Sequence, residues 1–405
     1  MKIGILTYHA ACNFGANLQV HSTFEYLKKA GHEPVIINWF SKEFENYYKK
    51  TTPQAQYDVH ENYRTLYFDL TERCYDTTSI AREIINNNLE GIIIGSDAVL
   101  QHHSLFARII FPTKKIISIK PITKDRLYPN PFWGDFYPHL NKEIPMALIS
   151  ASSQNSDFKL ISHKIKKEMK NSLSLFSYIS VRDEWTQKMV RNIFNKKLTP
   201  EITPDPVFGF NYSIKSPLEK VEILDKYNLP ENYLLFSFYN SKSVTQNWLS
   251  EFKIIASKNN YTCVAMAMPN GIKFQHPFDK IIDIPLSPID WYQLIKYSSG
   301  YIGNNMHPIV VCLHNAIPCF SFDNYGIVKL RAITNQKSSK IYHILKEFDL
   351  LDIRVTDTGV RSTDITAESV FSRIMNFPKE RVAKQSLIYV DKYKSMMNKV
   401  LQAFS

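Results

Sequence analysis

The chain has 405 residues, more than one hydrophobic core usually organises, so two domains of ordinary size are expected. Hydrophobic residues make up 44% and charged residues 21%, which excludes a disordered or fibrous chain, and no apolar run of about 18 residues is present to cross a bilayer. A formal net charge of +11 implies a positive field suited to nucleic acid, an anionic membrane surface or an anionic small substrate.

The opening Met1-Lys2-Ile3-Gly4-Ile5-Leu6 is too short for a signal-peptide core and runs at once into Thr7-Tyr8-His9, so it reads as a first strand of a soluble, cytoplasmic protein. A helix from about Leu18 to Ala30 follows, closed by Gly31, and then a nearly all-apolar strand from Pro34 to Trp39. This is a βαβ unit, and its apolar second strand suits a parallel sheet buried on both faces. The strand Gly91 to Ile94 runs into Gly95-Ser96-Asp97, and residues 111–145 look like an irregular insertion. Strands Ala147 to Ser150 and Tyr178 to Val181 flank a helix whose basic run, His163 to Lys170, is read as a solvated face, with peripheral contact to the inner face of the membrane as the other option.

Pro200, Pro204 and Pro206 punctuate a linker, after which the alternation restarts: strand Tyr233 to Phe238, helix Val244 to Asn259, strand Tyr261 to Ala267, helix Asp290 to Ser298 and strand Gly300 to Gly303, with a helix from His307. The expected architecture is α/β, with two doubly wound Rossmann-like domains facing each other across an interdomain cleft, a GT-B-like arrangement. Its parts are an N-terminal domain over 1–198 on the acceptor side, a C-terminal domain over 199–376 on the donor side, and a helix over 377–405 packing across both.

Ligands of open α/β sheets bind beyond the carboxyl ends of strands, which selects the candidate residues. Gly303 ends a strand and Pro308 suits a first helical turn, so His307 shares one spot with free backbone N–H groups that can bind phosphate; it is either a proton-transferring imidazole or a cap. Arg182 closes another strand and can grip a carboxylate or phosphate, or pair with a neighbouring acid. Asn13, Gly15 and Gln19 occupy the first strand-to-helix turn, where amides suit sugar hydroxyls. Asp97 is a ligand-facing carboxylate, a general base or a helix cap, and Asp205 a structural turn residue. The five cysteines form no C-x-x-C pair, so neither a disulfide framework nor a zinc cluster is indicated, and Cys312 and Cys319 read as core residues. Zinc-finger spacing and RNP-like signatures are missing, so nucleic-acid binding is not expected, and without a P-loop or G-x-S-x-G neither ATP hydrolysis nor serine hydrolysis is supported.

Several of these segments, in order, resemble the polysaccharide pyruvyl transferase family. Lys2 to Tyr8 through Asn13-Phe14-Gly15-Ala16-Asn17-Leu18-Gln19 is similar to its N-terminal strand and N-[YF]-G-A-x-L-Q turn, Ile94-Gly95-Ser96-Asp97 to its G-S-D strand end, Ser180-Val181-Arg182-Asp183 to its S-V-R-E element and Asp205-Pro206 to its D-P turn. Ser287 through Pro318 resembles the stretch leading to the family's catalytic histidine, here His307, and Asn335 to Arg354 its tail, with Lys340 where arginine is usual. Asn305 stands where some members carry an arginine that holds the donor.

The resemblance implies a transferase that moves pyruvate from phosphoenolpyruvate onto two hydroxyls of a sugar or lipid-linked oligosaccharide, with no metal or organic cofactor. It implies His307 and Arg182 as catalytic residues. Arg182, Asn304 and Asn305 would bind the donor, with Lys329 or Arg331 supplying the missing cation, and Asn13, Gly15, Gln19 and Asp97 would bind the acceptor. A nucleotide-sugar glycosyltransferase of the same architecture and a non-catalytic glycan-binding relative are the competing readings.

Overall fold

The computed structural model describes residues 1–113, 116–214, 218–239, 241, 243–329, 332–357 and 365–405, with backbone alone at 110–113, 116–117, 327–329 and 332–335. Two six-stranded sheets organise it. The first is built from β1 (Lys2–Leu6), β2 (Glu33–Ile36), β3 (Gly91–Asp97), β4 (Met146–Ala151), β5 (Tyr178–Val181) and β6 (Glu201–Ile202), in the order β2-β1-β3-β4-β5-β6. The second contains β7 (Tyr233–Ser237), β8 (Thr262–Met266), β9 (Lys280–Ile282), β10 (Gly300–Gly303), β11 (Cys319–Asp323) and β12 (Arg354–Thr356), ordered β9-β8-β7-β10-β11-β12. Every strand pair in both sheets is parallel.

The central strands explain the arrangement. Ile92, Ile93 and Ile94 of β3 and Leu234, Leu235 and Phe236 of β7 are fully buried, so both faces of each sheet must be covered, and crossover helices do this. The fold is therefore the expected pair of doubly wound α/β layers. In the first sheet the strand order reverses between β1 and β3, and in the second between β7 and β10. The crevices beyond the carboxyl ends at those two switch points are where such sheets bind ligands.

Several elements differ from the sequence reading for local reasons. Helix α1 (Phe14–Lys29) starts at Phe14 instead of Leu18, because the Asn13 side chain accepts the Ala16 N–H at 3.2 Å and caps the first turn. Helices over Lys42–Thr51, Gln54–Tyr67 and Thr77–Asn86 fill the span before β3, and the expected irregular insertion begins with an antiparallel hairpin of Ile109–Thr113 against Ile116–Ile119. The edge strand β6 lies just past residue 198. The helix carrying the basic run, His163–Leu173, buries Met169 and Leu173 and leaves lysines toward solvent.

Helices α2 (Glu184–Ile193), α3 (Met306–His314) and α4 (Lys340–Glu347) each start beside the carboxyl ends of strands. The terminal helix α5 (Lys379–Phe404) buries Val382, Tyr389, Tyr393, Met397, Val400 and Phe404, a stripe at helical spacing. Each such side chain contributes about 1.5–3 kcal/mol by leaving water. Tyr393 donates to the Ser22 carbonyl at 3.2 Å and Ser386 to the His314 carbonyl at 2.8 Å, so α5 is bonded both to α1 of the first half and to α3 of the second. All five cysteines are buried and free.

Candidate functional site

The end of β5 delivers Arg182 into the junction between the halves, where Asp183 caps α2 by accepting the Thr186 N–H at 2.7 Å and so fixes the chain direction. Arg182 is almost fully buried and is held from two sides. Its Nη1 donates to Asp205 Oδ2 at 2.7 Å and its Nη2 to Asp97 Oδ1 at 3.4 Å, while Gln19 Nε2 donates to the same Asp205 oxygen at 2.7 Å. Asp205 also accepts the Val207 N–H at 3.0 Å. It is the expected turn residue, and it is at the same time the counter-ion of Arg182.

Asp97 ends β3 in the left-handed region, at φ 80°, a conformation uncommon outside glycine and tolerated best by Asn and Asp. The helix after it is capped by Ser104, so Asp97 is an ion-pair partner and not a cap. Burial alone would raise its pKa, but Lys340 and Arg182 outweigh burial and bring the carboxyl down to about 2. Lys340, the first residue of α4, places Nζ 3.9 Å from Asp97 Oδ1. Its position is fixed by Ser339, which caps α4 and donates to Asp323 Oδ2 at 2.6 Å, an oxygen that also accepts from Arg354 Nε at 2.6 Å. Burial, reinforced by the Arg182 charge, lowers the Lys340 ammonium to about 8.

His307 approaches from the other half, on the first turn of α3. Its ring lies against Gly15 so closely that a Cβ there would sit 1.9 Å from His307 Cγ. Glycine at position 15 is what lets the imidazole of the second half rest on the helix start of the first. His307 Nε2 is buried and has no hydrogen-bond partner among the described residues. Burial lowers its pKa, with the Asp205 and Asp97 charges opposing that shift and Arg182 and Lys340 adding to it, so a neutral ring is favoured. A cavity of about 120 Å³ opens beside this cluster, lined in part by Arg182, Asp205, Met306 and Lys340.

The structure thus gathers Arg182, His307, Gly15 and Asp97 at one place, with half-buried Asn13 capping α1 beside them. It redirects two expected residues. Gln19 is buried and its amide is used on Asp205, so it supports the ion pair from beneath instead of meeting an acceptor. Asn304 is buried and clamps Tyr239, accepting its N–H at 2.9 Å and donating to its carbonyl at 2.7 Å, which ties the end of β10 to the segment after β7 and leaves it unavailable to a donor. Asn305 takes the cap position of α3 without capping it and points Nδ2 at Met268 Sδ, 3.2 Å away. Lys329 ends a short strand and is described by its backbone alone, and Arg331 lies outside the described residues. Lys340 was missed as a site residue although its place in the tail element, where arginine is usual, was the signal.

Comparison with known proteins agrees with this architecture. The chain is similar in structure to UDP-GlcNAc 2-epimerase from Neisseria meningitidis bound to UDP-GlcNAc, with TM-score 0.54 at 8% identity over 99% of this chain and 100% of that one. Arabidopsis thaliana UGT89C1 complexed with UDP gives TM-score 0.51 at 8% identity, covering 100% of both chains. UDP-GlcNAc 2-epimerase from Methanocaldococcus jannaschii gives 0.50 at 11%, covering 96% of this chain and 98% of that one. At such identities the likeness establishes the two-domain GT-B fold alone. No curated protein sequence matches the chain. The family model described as Polysaccharide pyruvyl transferase matches residues 13–325, a span that runs from the Asn13 cap through Asp97, Arg182, Asp205 and His307, and the chain belongs to that family.

Proposed function

We propose that the chain transfers pyruvate from phosphoenolpyruvate to two hydroxyls of a sugar, giving a cyclic ketal during surface-polysaccharide synthesis. The observation that carries this reading is the seat of His307: an imidazole nitrogen without a partner among the described residues, pressed on Gly15 where the switch points of the two sheets meet, beside Arg182 and Lys340.

The donor carries a phosphate and a carboxylate. Lys340 is the cation that stands in for the arginine missing at Asn305, and it shares the cavity with Arg182. Arg182 has its Nη groups committed to Asp205 and Asp97, so it supplies field and rigidity more than a free grip. The first-turn amides of α3 add a helix N-terminus that favours anionic oxygens. His307, held neutral, takes a proton from an acceptor hydroxyl as the enol carbon becomes cation-like. Two hydroxyl protons are released in forming the ketal. One ends on the methylene carbon, which becomes methyl, and the other leaves with phosphate. Asn13 and Asp97 face the acceptor side, Asp97 remaining ionised and orienting hydroxyl donors.

Replacing His307 with Ala tests this: phosphate release from phosphoenolpyruvate with a panel of lipid-linked saccharides should fall by about 10² to 10⁴. Turnover equal to the unmodified protein would remove the assignment. Thermal stabilisation by UDP-sugars but not by phosphoenolpyruvate would replace the reading with nucleotide-sugar transfer.

A further inference from the structure

On the far wall of the same cavity, α4 presents His343 and Glu347 four residues apart, which puts both side chains on one helical face. Glu184, the first residue of α2 in the other half, faces them. One oxygen from each carboxylate and one ring nitrogen of His343 lie within 4.8 Å of one another, and no other group of this kind occurs among the described residues. His343 is 6% exposed, and its Nδ1 is buried without a hydrogen-bond partner among the described residues. A buried imidazole nitrogen left without a hydrogen-bond partner beside two carboxylates is costly for the protein to keep unless something binds there.

We propose that Glu184, His343 and Glu347 form a divalent transition-metal site of the kind that takes Zn²⁺, clamping α2 of the first half to α4 of the second. The donor set, one imidazole and two carboxylates without thiolate, suits zinc. Three protein ligands leave a coordination position for water. Burial lowers the His343 pKa, against the pull of Asp183, Glu347 and Glu184, which favours the neutral ring a metal needs. The carboxylates have other partners to release or share: Lys346 Nζ is 2.5 Å from Glu184 Oε1, Lys188 Nζ is 3.8 Å from Glu184 Oε2, and Tyr389 donates to Glu347 Oε2 at 3.3 Å. Lys346 and Lys188 are substantially exposed and can swing into water, allowing the two flexible glutamates to draw in to bonding distance.

The site is independent of the pyruvyl-transfer reading, and its test needs no activity. The full-length chain, stripped with a chelator, is titrated with Zn²⁺ alone by calorimetry and followed by thermal unfolding. One equivalent should bind and raise the melting temperature. Glu184→Gln and Glu347→Gln should each weaken binding about tenfold or more while keeping the metal-free melting temperature near that of the parent, since second and third ligands remain but a charged donor is lost. Lys346→Met should tighten binding several-fold by removing the competing ammonium. Cobalt substitution should give visible absorption bands that both glutamine variants lose. Zinc binding unchanged in both glutamine variants, or no stoichiometric binding by the parent, would overturn the proposal.

Discussion

The two rims of the junction between the halves are built on related plans, side chains gathered at strand ends and helix starts, yet they are finished differently. On the first rim Arg182, Asp97 and Asp205 are paired with one another, and Gln19 and the Val207 N–H complete the set. On the second, His307 has a ring nitrogen without a hydrogen-bond partner among the described residues, and Lys340 pairs with Asp97 at 3.9 Å and lies over the Tyr325 ring. Buried groups that satisfy one another resist change, whereas a group left unsatisfied retains capacity for a ligand. The paired Nη groups and carboxylates of the first rim therefore carry stability and the second rim carries chemistry, while Arg182 Nε, buried without a hydrogen-bond partner among the described residues, leaves the first rim some capacity for a ligand.

The sharpest way to break that division is Arg182→Met. It leaves Asp205 without its cation and Asp97 with Lys340 alone, and removing one partner of a buried pair destabilises by about 3–5 kcal/mol. Urea denaturation measures it. His307→Ala, by contrast, should change stability by about 1 kcal/mol or less, since no hydrogen bond from its Nε2 is lost. Equal losses in the two variants would dissolve the distinction. Adding Asp205→Asn to Arg182→Met should restore part of the deficit, because the surviving buried charge is halved.

Gly15→Ala sharpens the comparison from the point where the rims touch. The new Cβ would lie 1.9 Å from His307 Cγ and 2.2 Å from Nδ1, so the ring must move while Arg182, Asp97 and Asp205 keep their bonds. Misplacing a reacting group by an ångström is enough for a loss of about 10²-fold in kcat/KM. The accompanying overpacking destabilises by about 1–3 kcal/mol, less than the loss of Arg182. Full activity in this variant would show that the contact does not position the imidazole.

The fold was largely legible because its signal is redundant. The all-apolar runs at Ile92 to Ile94 and Leu234 to Phe236 suit strands buried on both faces of a parallel sheet, Tyr178–Val181 and Gly300–Gly303 match the strand bounds read from composition and spacing, and the terminal helix Lys379–Phe404 falls within the expected 377–405. The start of α1 was misplaced because Asn13 acts through a single side-chain bond to a backbone amide, which leaves no periodic trace. The site was legible where strand ends coincide with chemistry-bearing residues, as at Arg182 and His307. It was illegible where partners come from far away in the chain: nothing local to Asn304 announces the backbone of Tyr239, and nothing local to Gln19 announces Asp205, 186 positions later. Lys340 was visible only as a departure from an expected arginine, since its neighbourhood is assembled by α4 docking against the first rim.

The mildest effect concerns Lys340 and separates the rims by pH. Its ordinary pKa of 10.5 is pushed to about 8, first by burial and then by Arg182, while Asp97, Asp183 and Asp205 limit the fall. Below about 8 the ammonium is present and can hold an anionic donor; above it the charge is lost from the folded protein. The apparent affinity for phosphoenolpyruvate should therefore weaken by up to about tenfold per pH unit above that point, reaching a floor set by binding to the neutral amine. Lys340→Arg, whose guanidinium stays charged, should abolish this dependence while the neutral-pH affinity changes little. Stability should move the other way. Between about 8 and 10.5 the unfolded chain holds a proton that the folded chain has released, so unfolding becomes harder as pH rises through that window, and Lys340→Met should flatten the slope. An affinity independent of pH in the parent, with the stability slope intact, would mean that Lys340 is buried for the sake of Asp97 alone and that the donor is held by the second rim's helix amides without it.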